Sequence, residues 1–158
     1  MLTRMGRGWN GSVIRALIDT NVLFDAIAAR EPFRGDAERI FLMAAENLCE
    51  GLITATSLTD IYYMTRKFLS VGEAHEALDN LMEIFAVAAV DGADCRAALI
   101  SATQDFEDAL MRVCAKRDRA DCIVTRDAEL LRTQTSIPAV SPADFVRRIT
   151  GVGMEGSI

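Results

Sequence analysis

The chain has few of the residues that carry proton transfer and soft-metal chemistry in most enzymes. It contains one histidine, His75, and four cysteines (Cys49, Cys95, Cys114 and Cys122), with no CxxC pair among them. A zinc site built from clustered histidine and cysteine is therefore not expected. His75 lies in a polar stretch and reads as a solvated helix residue. No apolar run approaches the roughly 20 residues that a membrane helix needs, so no membrane association is expected. Residues 1–12 lack the apolar stretch of a secretory signal, which makes a cytoplasmic protein with reduced thiols the expectation. Aromatic residues make up only 6% of the chain, so alanine, leucine, isoleucine and valine must fill the core. Basic residues are outnumbered 17 to 23, giving a net charge of −6. That balance argues against coating nucleic acid by charge alone. It leaves room for an enzyme that meets phosphate through a metal ion held by acids.

There is also no internal linker, repeat or low-complexity segment. The 158 residues are expected to form one domain over residues 13–150, with loose tails at 1–12 and 151–158. Within it, short apolar runs alternate with amphipathic ones. Strands are expected at 13–18, 52–56, 85–90, 121–125 and 139–140. Between them, helical spacing covers 22–30 (stopped by Pro32), a stretch opened by Gly35-Asp36 and closed by Gly51, and one capped by Ser57. It continues over 73–84, the stretch containing Cys95 to Ala102, the run from Phe106 onward, and a last helix after Ser141-Pro142. Strands alternating with helices predict a single-domain α/β/α sandwich with a mainly parallel central sheet.

Ligands of such sheets sit beyond the carboxyl ends of the strands. Asp19 follows the first strand directly, within Leu17-Ile18-Asp19-Thr20-Asn21. Asp60 lies a turn into the helix after the second strand. Asp105 and Asp108 open the helix near Phe106, and Asp127 follows the fourth strand. Each acid taken singly reads well as a helix cap or a first-turn acid that complements the helix dipole. Together they would share one sheet edge, where uncompensated carboxylates repel. A hard divalent cation with oxygen ligands, Mg²⁺ or Mn²⁺, resolves that repulsion.

At this point the chain resembles a known family. The string Ala16-Leu17-Ile18-Asp19-Thr20-Asn21-Val22 is similar to the opening of the PIN-domain ribonucleases. The segments Asp105-Phe106-Glu107-Asp108-Ala109-Leu110, Ala115-Lys116-Arg117 and Ala120-Asp121-Cys122-Ile123-Val124-Thr125-Arg126-Asp127 are similar to that family's second half. Ile137-Pro138-Ala139-Val140-Ser141-Pro142-Ala143-Asp144-Phe145 fits its close. The resemblance implies RNA cleavage with Mg²⁺ or Mn²⁺ held at Asp19, Asp60, Asp108 and Asp127. It also implies an antitoxin partner, since many bacterial members are toxins paired with one. The chain departs from the family at Asp60, where a glutamate is usual. The shorter acid points to contact through a bridging water.

The reaction implied is metal-assisted phosphodiester hydrolysis with one or two cations and no histidine base. Thr20, Asn21 and Thr125 would orient the ligands. Asp105 and Glu107 are the alternatives to Asp108. Arg66, Lys67, Arg112, Lys116, Arg117 and Arg126 are the basic groups expected near RNA phosphates, set against a solvated basic face. Tyr62 and Tyr63 are candidates for stacking on bases. Apolar helix faces leave room for a homodimer. Two other readings remain. A phosphoryl-accepting receiver domain would use Asp91 but needs a lysine where the chain has Arg126-Asp127. The other is an inactive PIN scaffold that binds RNA or a protein without cutting.

Overall fold

The computed structural model describes residues 13–101, 105–133 and 135–151. The expected tails therefore lie, apart from Gly151, outside the described residues. Strand β1 (Arg15–Ile18) is the centre of a five-stranded sheet. On one side it pairs with β2 (Glu50–Thr54), which pairs with β3 (Ala86–Ala88). On the other it pairs with β4 (Cys122–Val124), which pairs with β5 (Ala139–Val140). Every pairing is parallel, giving the order β3-β2-β1-β4-β5. The α/β sandwich expected from the alternation of runs is the fold observed.

The strands are short, and the inner three, β2, β1 and β4, are largely buried on both faces, as parallel strands are when helices cover both sides, while the edge strands β3 and β5 are more open. Ala16, Ile18, Ile53, Cys122 and Val124 face the larger core. There they meet α1 (Thr20–Ile27), α2 (Arg34–Ala45), α3 (Ala55–Thr65), α4 (Val71–Ile84) and the last helix, α8 (Pro142–Thr150). Leu17, Leu52 and Ile123 point the other way. Their partners include Met111 and Ala115 of α6 (Phe106–Arg117) and Leu130 of α7 (Ala128–Arg132). Helix α5 (Gly92–Ile100) packs on α6 through Ala98, Ala109 and Leu110. Among the described residues, no helix is long and apolar enough to cross a membrane.

Several boundaries differ from the sequence reading, for identifiable reasons. Helix α1 begins at Thr20, so Thr20 and Asn21 are helical, and it ends at Ile27, before Pro32 can act. Ala29, at φ 53°, turns the chain away there. Helix α2 ends at Ala45, and Asn47 at φ 60° makes the exit. Gly51 is not its cap but a residue of β2. A Cβ on Gly51 would sit 2.4 Å from the Phe85 ring, so glycine there lets helix-flanking Phe85 close on the strand. Strand β2 stops two residues earlier than expected, so Thr54 rather than Ser57 caps α3. Its hydroxyl accepts the Ser57 amide at 3.3 Å. The short helix α7 was not expected at all, because its five residues carry too little periodicity.

Candidate active site

A parallel sheet sends every strand's carboxyl end to the same edge, and the acids follow from that. Asp19 leaves β1, anchored by its own amide on the Val124 carbonyl of neighbouring β4 at 2.9 Å. Thr125-Arg126-Asp127 leaves β4 beside it. Asp60 comes from the second turn of α3, and Glu107 and Asp108 from the first turn of α6. Asp19, Asp60, Asp108 and Asp127 line a single cleft of about 460 Å³, together with Asp105 and Glu107. Thr20, Asn21, Thr54, Thr56, Ser57 and Tyr63 complete its polar wall.

The capping alternatives resolve differently at each acid. Asp19 occupies the N-cap position of α1 but makes no capping bond. Its Oδ2 instead accepts the Thr125 hydroxyl at 2.8 Å. Asp105 does cap α6, accepting the Asp108 amide at 3.0 Å. Asp127 caps α7, accepting the amides of Glu129 and Leu130 at 2.8 and 3.1 Å. Both bonds go to Oδ1, so the cap does not consume Oδ2. The Thr125 hydroxyl also accepts the Asp127 amide at 3.0 Å. One hydroxyl thus ties two of the acids together.

Below the acids runs a chain of hydroxyls. Thr20 and Ser57 are 2.7 Å apart, Ser57 and Thr54 3.1 Å, and Thr54 and Thr56 2.9 Å. It links the first turn of α1 to the first turn of α3 and fixes the Thr20 hydroxyl.

The electrostatics are dominated by acids, with Arg112 pulling Asp108 the other way. Among the described residues no arginine, lysine or histidine lines the cleft. Asp108 is pushed up to about 6, first by burial and then by Asp105, Asp127 and Asp19. Glu107 is raised by burial and by Asp60, Asp19 and Asp105. Asp19 is raised mainly by burial, against the pull of the Thr125 hydroxyl and the Thr20 and Asn21 amides. Like charges and lost hydration both favour protons on these acids.

The donor set, carboxylates with hydroxyls and an amide, suits Mg²⁺ or Mn²⁺ and not zinc. Among the described residues, no three acids stand close enough together to form a coordination shell. The residues fit such an ion by chemistry and by their shared cleft.

The basic residues lie elsewhere. Arg66 and Lys67 are exposed past the end of α3, with Arg66 on the Leu69 carbonyl at 2.7 Å. Arg112 and Lys116 line a separate hollow beyond Asp108 on α6. Arg117 pairs with Asp94 and Asp118. Arg126 turns away from the cleft and binds Asp25 through Nε at 2.6 Å and a second nitrogen at 3.1 Å. His75 is exposed, with its ring tilted toward Tyr62 at 5.7 Å between centres, outside the cleft. Tyr62 is half-buried, whereas Tyr63 is 66% exposed at the cleft wall.

Sequence reasoning passed over Asp25, which is fully buried between Arg126 and Arg30. A signal was present: one acid inside the apolar run Val22-Leu23-Phe24-Asp25-Ala26-Ile27. A charge so placed has to be paired. The cleft hydroxyls Thr54 and Thr56 were also missed, because β2, expected at 52–56 and observed at Glu50–Thr54, was set two residues too far along the chain, which put Thr54 mid-strand and Thr56 inside it.

Comparison with known proteins bears on the fold that carries this cleft. A toxin–antitoxin complex from Klebsiella pneumoniae aligns with TM-score 0.58 and 20% identity, covering 80% of this chain and 97% of that one. VapBC2 from Rickettsia felis, bound to a DNA fragment from its promoter, gives TM-score 0.59 and 13% identity over 81% and 98%. DNA-bound VapBC from Salmonella typhimurium gives 0.59 and 14% over 82% and 99%. At such identities the likeness establishes the fold. No curated protein matches the chain. Residues 15–129 match the PIN domain. With that match across most of its length, and five parallel strands bringing the acids to one edge, the chain belongs to the PIN-domain family.

Proposed function

We propose that this protein is a metal-dependent endoribonuclease and the toxin of a toxin–antitoxin pair. The observation that carries the reading is the cleft itself, which six carboxylates line with no cationic side chain beside them among the described residues. Structural acids are normally paired or solvated, and a cluster left unpaired in a cleft is a site for a cation. Its likeness to toxin–antitoxin complexes supports the partner.

Asp19 and Asp127 would be the principal holders of Mg²⁺ or Mn²⁺, Asp108 would complete the set, and Asp60 would reach it through water. When bound, the cation supplies Lewis-acid activation of water and neutralises phosphate charge. The chain's own groups do the positioning. The Thr125 hydroxyl holds Oδ2 of Asp19, and the Thr20 and Asn21 amides favour its charged form. Asp108, raised to about 6 without a cation, would have to give up its proton to serve as a ligand, so protons and the cation would compete there. Tyr63 offers an unpaired base a face to stack on at the wall. Arg66, Lys67, Arg112 and Lys116 follow the acids along α3 and α6 and would take flanking phosphates. Arg126, committed to Asp25, is not among them.

An inactive scaffold that binds without cutting is the second reading, favoured by the shorter acid at Asp60. Incubating the purified protein with single-stranded RNA in Mn²⁺ or Mg²⁺, and again in chelator, separates the two. Cleavage that needs the cation and disappears in Asp127→Asn supports the nuclease. Intact RNA under every condition sinks it.

A further inference from the structure

Asp25 is the most deeply buried charge described in the molecule, and nothing in the proposed chemistry uses it. It sits on the second turn of α1, the helix whose first residue follows Asp19. Two guanidinium groups meet it. Arg30 of the same chain segment approaches at 3.1 Å. Arg126 grips both carboxylate oxygens, at 2.6 and 3.1 Å, and its guanidinium lies 3.8 Å from the Phe33 ring centre. Arg126 is also the middle of Thr125-Arg126-Asp127. Its neighbour on one side donates to Asp19, and on the other is the second principal acid. The tripeptide is therefore fastened to α1 at two levels, by Thr125 at the start of the helix and by Arg126 on its second turn.

We infer that Arg126, through Asp25, is a positioning residue: the ion pair clamps the end of β4 onto α1 and so fixes Asp127 and the Thr125 hydroxyl against Asp19. The bidentate geometry matters more than the charge. A planar fork held on two oxygens and stacked on a ring allows the segment little rotation, whereas a lysine would leave a swivel. Arg30 provides the internal control. It contributes a cation to the same carboxylate from within the α1 exit, lies over the Phe24 ring, and makes no hydrogen bond or ion pair to the β4 end among the described residues. If the pair serves only to neutralise Asp25, the two arginines are equivalent. If it positions the cleft, they are not.

The consequence for cation binding rests on the metal-dependent reading; the consequence for backbone order does not. The test compares Arg126→Lys with Arg30→Lys, following amide hydrogen exchange in the metal-free protein and Mn²⁺ affinity by calorimetry. In Arg126→Lys the Asp127 amide, which donates to Thr125, should exchange about 10-fold faster. Mn²⁺ affinity should fall about 10-fold, as for supports of metal ligands elsewhere. In Arg30→Lys both should stay within about 2-fold of wild type. Phe33→Leu removes the ring beneath the guanidinium and keeps the ion pair, so it should shift both readouts the same way by less. It also serves if Arg126→Lys fails to fold. Equal effects of the two lysine variants, or no change at the Asp127 amide, would overturn the assignment. A wild-type protein that binds no Mn²⁺ would instead remove the metal reading, and the amide exchange would still decide the clamp.

Discussion

Asp19, at the N-cap position before α1, and Asp25, on its second turn, lie six positions apart and have opposite fates. Asp25 is wholly buried and meets two guanidinium groups, so its charge is a satisfied part of the fold. Asp19 is half-buried, has only a hydroxyl and amides for support, and faces other acids. Burying a charge costs several kcal/mol unless it is compensated. The fold compensates one of these charges from within and gives the other no cationic partner among the described residues, which on the proposed reading leaves it to an external cation. Pairing, more than burial, therefore separates the structural acid from the candidate ligand.

Substitution should break the two apart. Asp25→Ala leaves Arg30 and Arg126 without their partner, and we expect a loss of about 2–3 kcal/mol in urea unfolding. That is below the ~3–5 kcal/mol of a wholly enclosed pair, because both guanidiniums keep contact with water. Asp19→Asn removes a desolvated, repelled charge while keeping an acceptor for Thr125. It should leave metal-free stability unchanged or higher, yet cost about 100-fold or more in RNA cleavage, equivalent to ~2.7 kcal/mol. An Asp19→Asn protein that unfolds readily and still cuts would reverse the roles.

Cation linkage sharpens the contrast. Mg²⁺ or Mn²⁺ at about 100 times its dissociation constant should stabilise the native state by ~2.7 kcal/mol. In a thermal scan this is roughly 5–10 °C for a chain of this size. The gain should vanish in Asp19→Asn and Asp127→Asn and persist in Arg30→Lys. An undiminished gain in both aspartate variants would take these acids out of the site.

The same acids set a pH dependence. Asp108 is raised to about 6 in the folded state, and Asp19 and Glu107 are raised too. The folded protein thus binds protons that the unfolded chain, with carboxyls near 4, has already released. That stabilisation is complete below about 4 and is lost as pH rises through about 6. Metal-free protein should consequently melt lower at pH 7.5 than at pH 5, and Asp108→Asn should flatten the slope. A steeper slope in that variant would contradict the assignment.

The smallest effects belong to two outlying residues. Asp60→Glu restores the reach usual in the family and should keep or raise activity, measured beside wild type at one metal concentration. His75→Ala should cut RNA near the wild-type rate, since His75 lies outside the cleft.

Much of this was legible in the chain. The step from Leu17-Ile18 to Asp19-Thr20-Asn21 marks a strand end, because an apolar run can stop so abruptly only where the backbone leaves the sheet. Alternating runs required a parallel sheet, and a parallel sheet gathers strand ends at one edge. The shared cleft of Asp19, Asp60, Asp108 and Asp127 follows from that logic. The partner of Arg126 did not follow, since it depends on a contact across 101 positions that no local pattern encodes. Nor did the exact ends of the strands, which moved Ser57 from cap to helix interior and brought Thr54 to the cleft. Helix α7 is too short to show a period, yet Asp127 caps it, so one residue serves both a structural and a proposed ligand role.

Calorimetric titration of Mn²⁺ into metal-free protein at pH 7.5, with Asp19→Asn alongside, tests the central claim most directly. The unpaired acids should bind the ion in the wild type, and affinity should fall at least about 10-fold in the variant. A wild-type protein that takes up no Mn²⁺, or an Asp19→Asn protein that binds it equally well, would contradict the account.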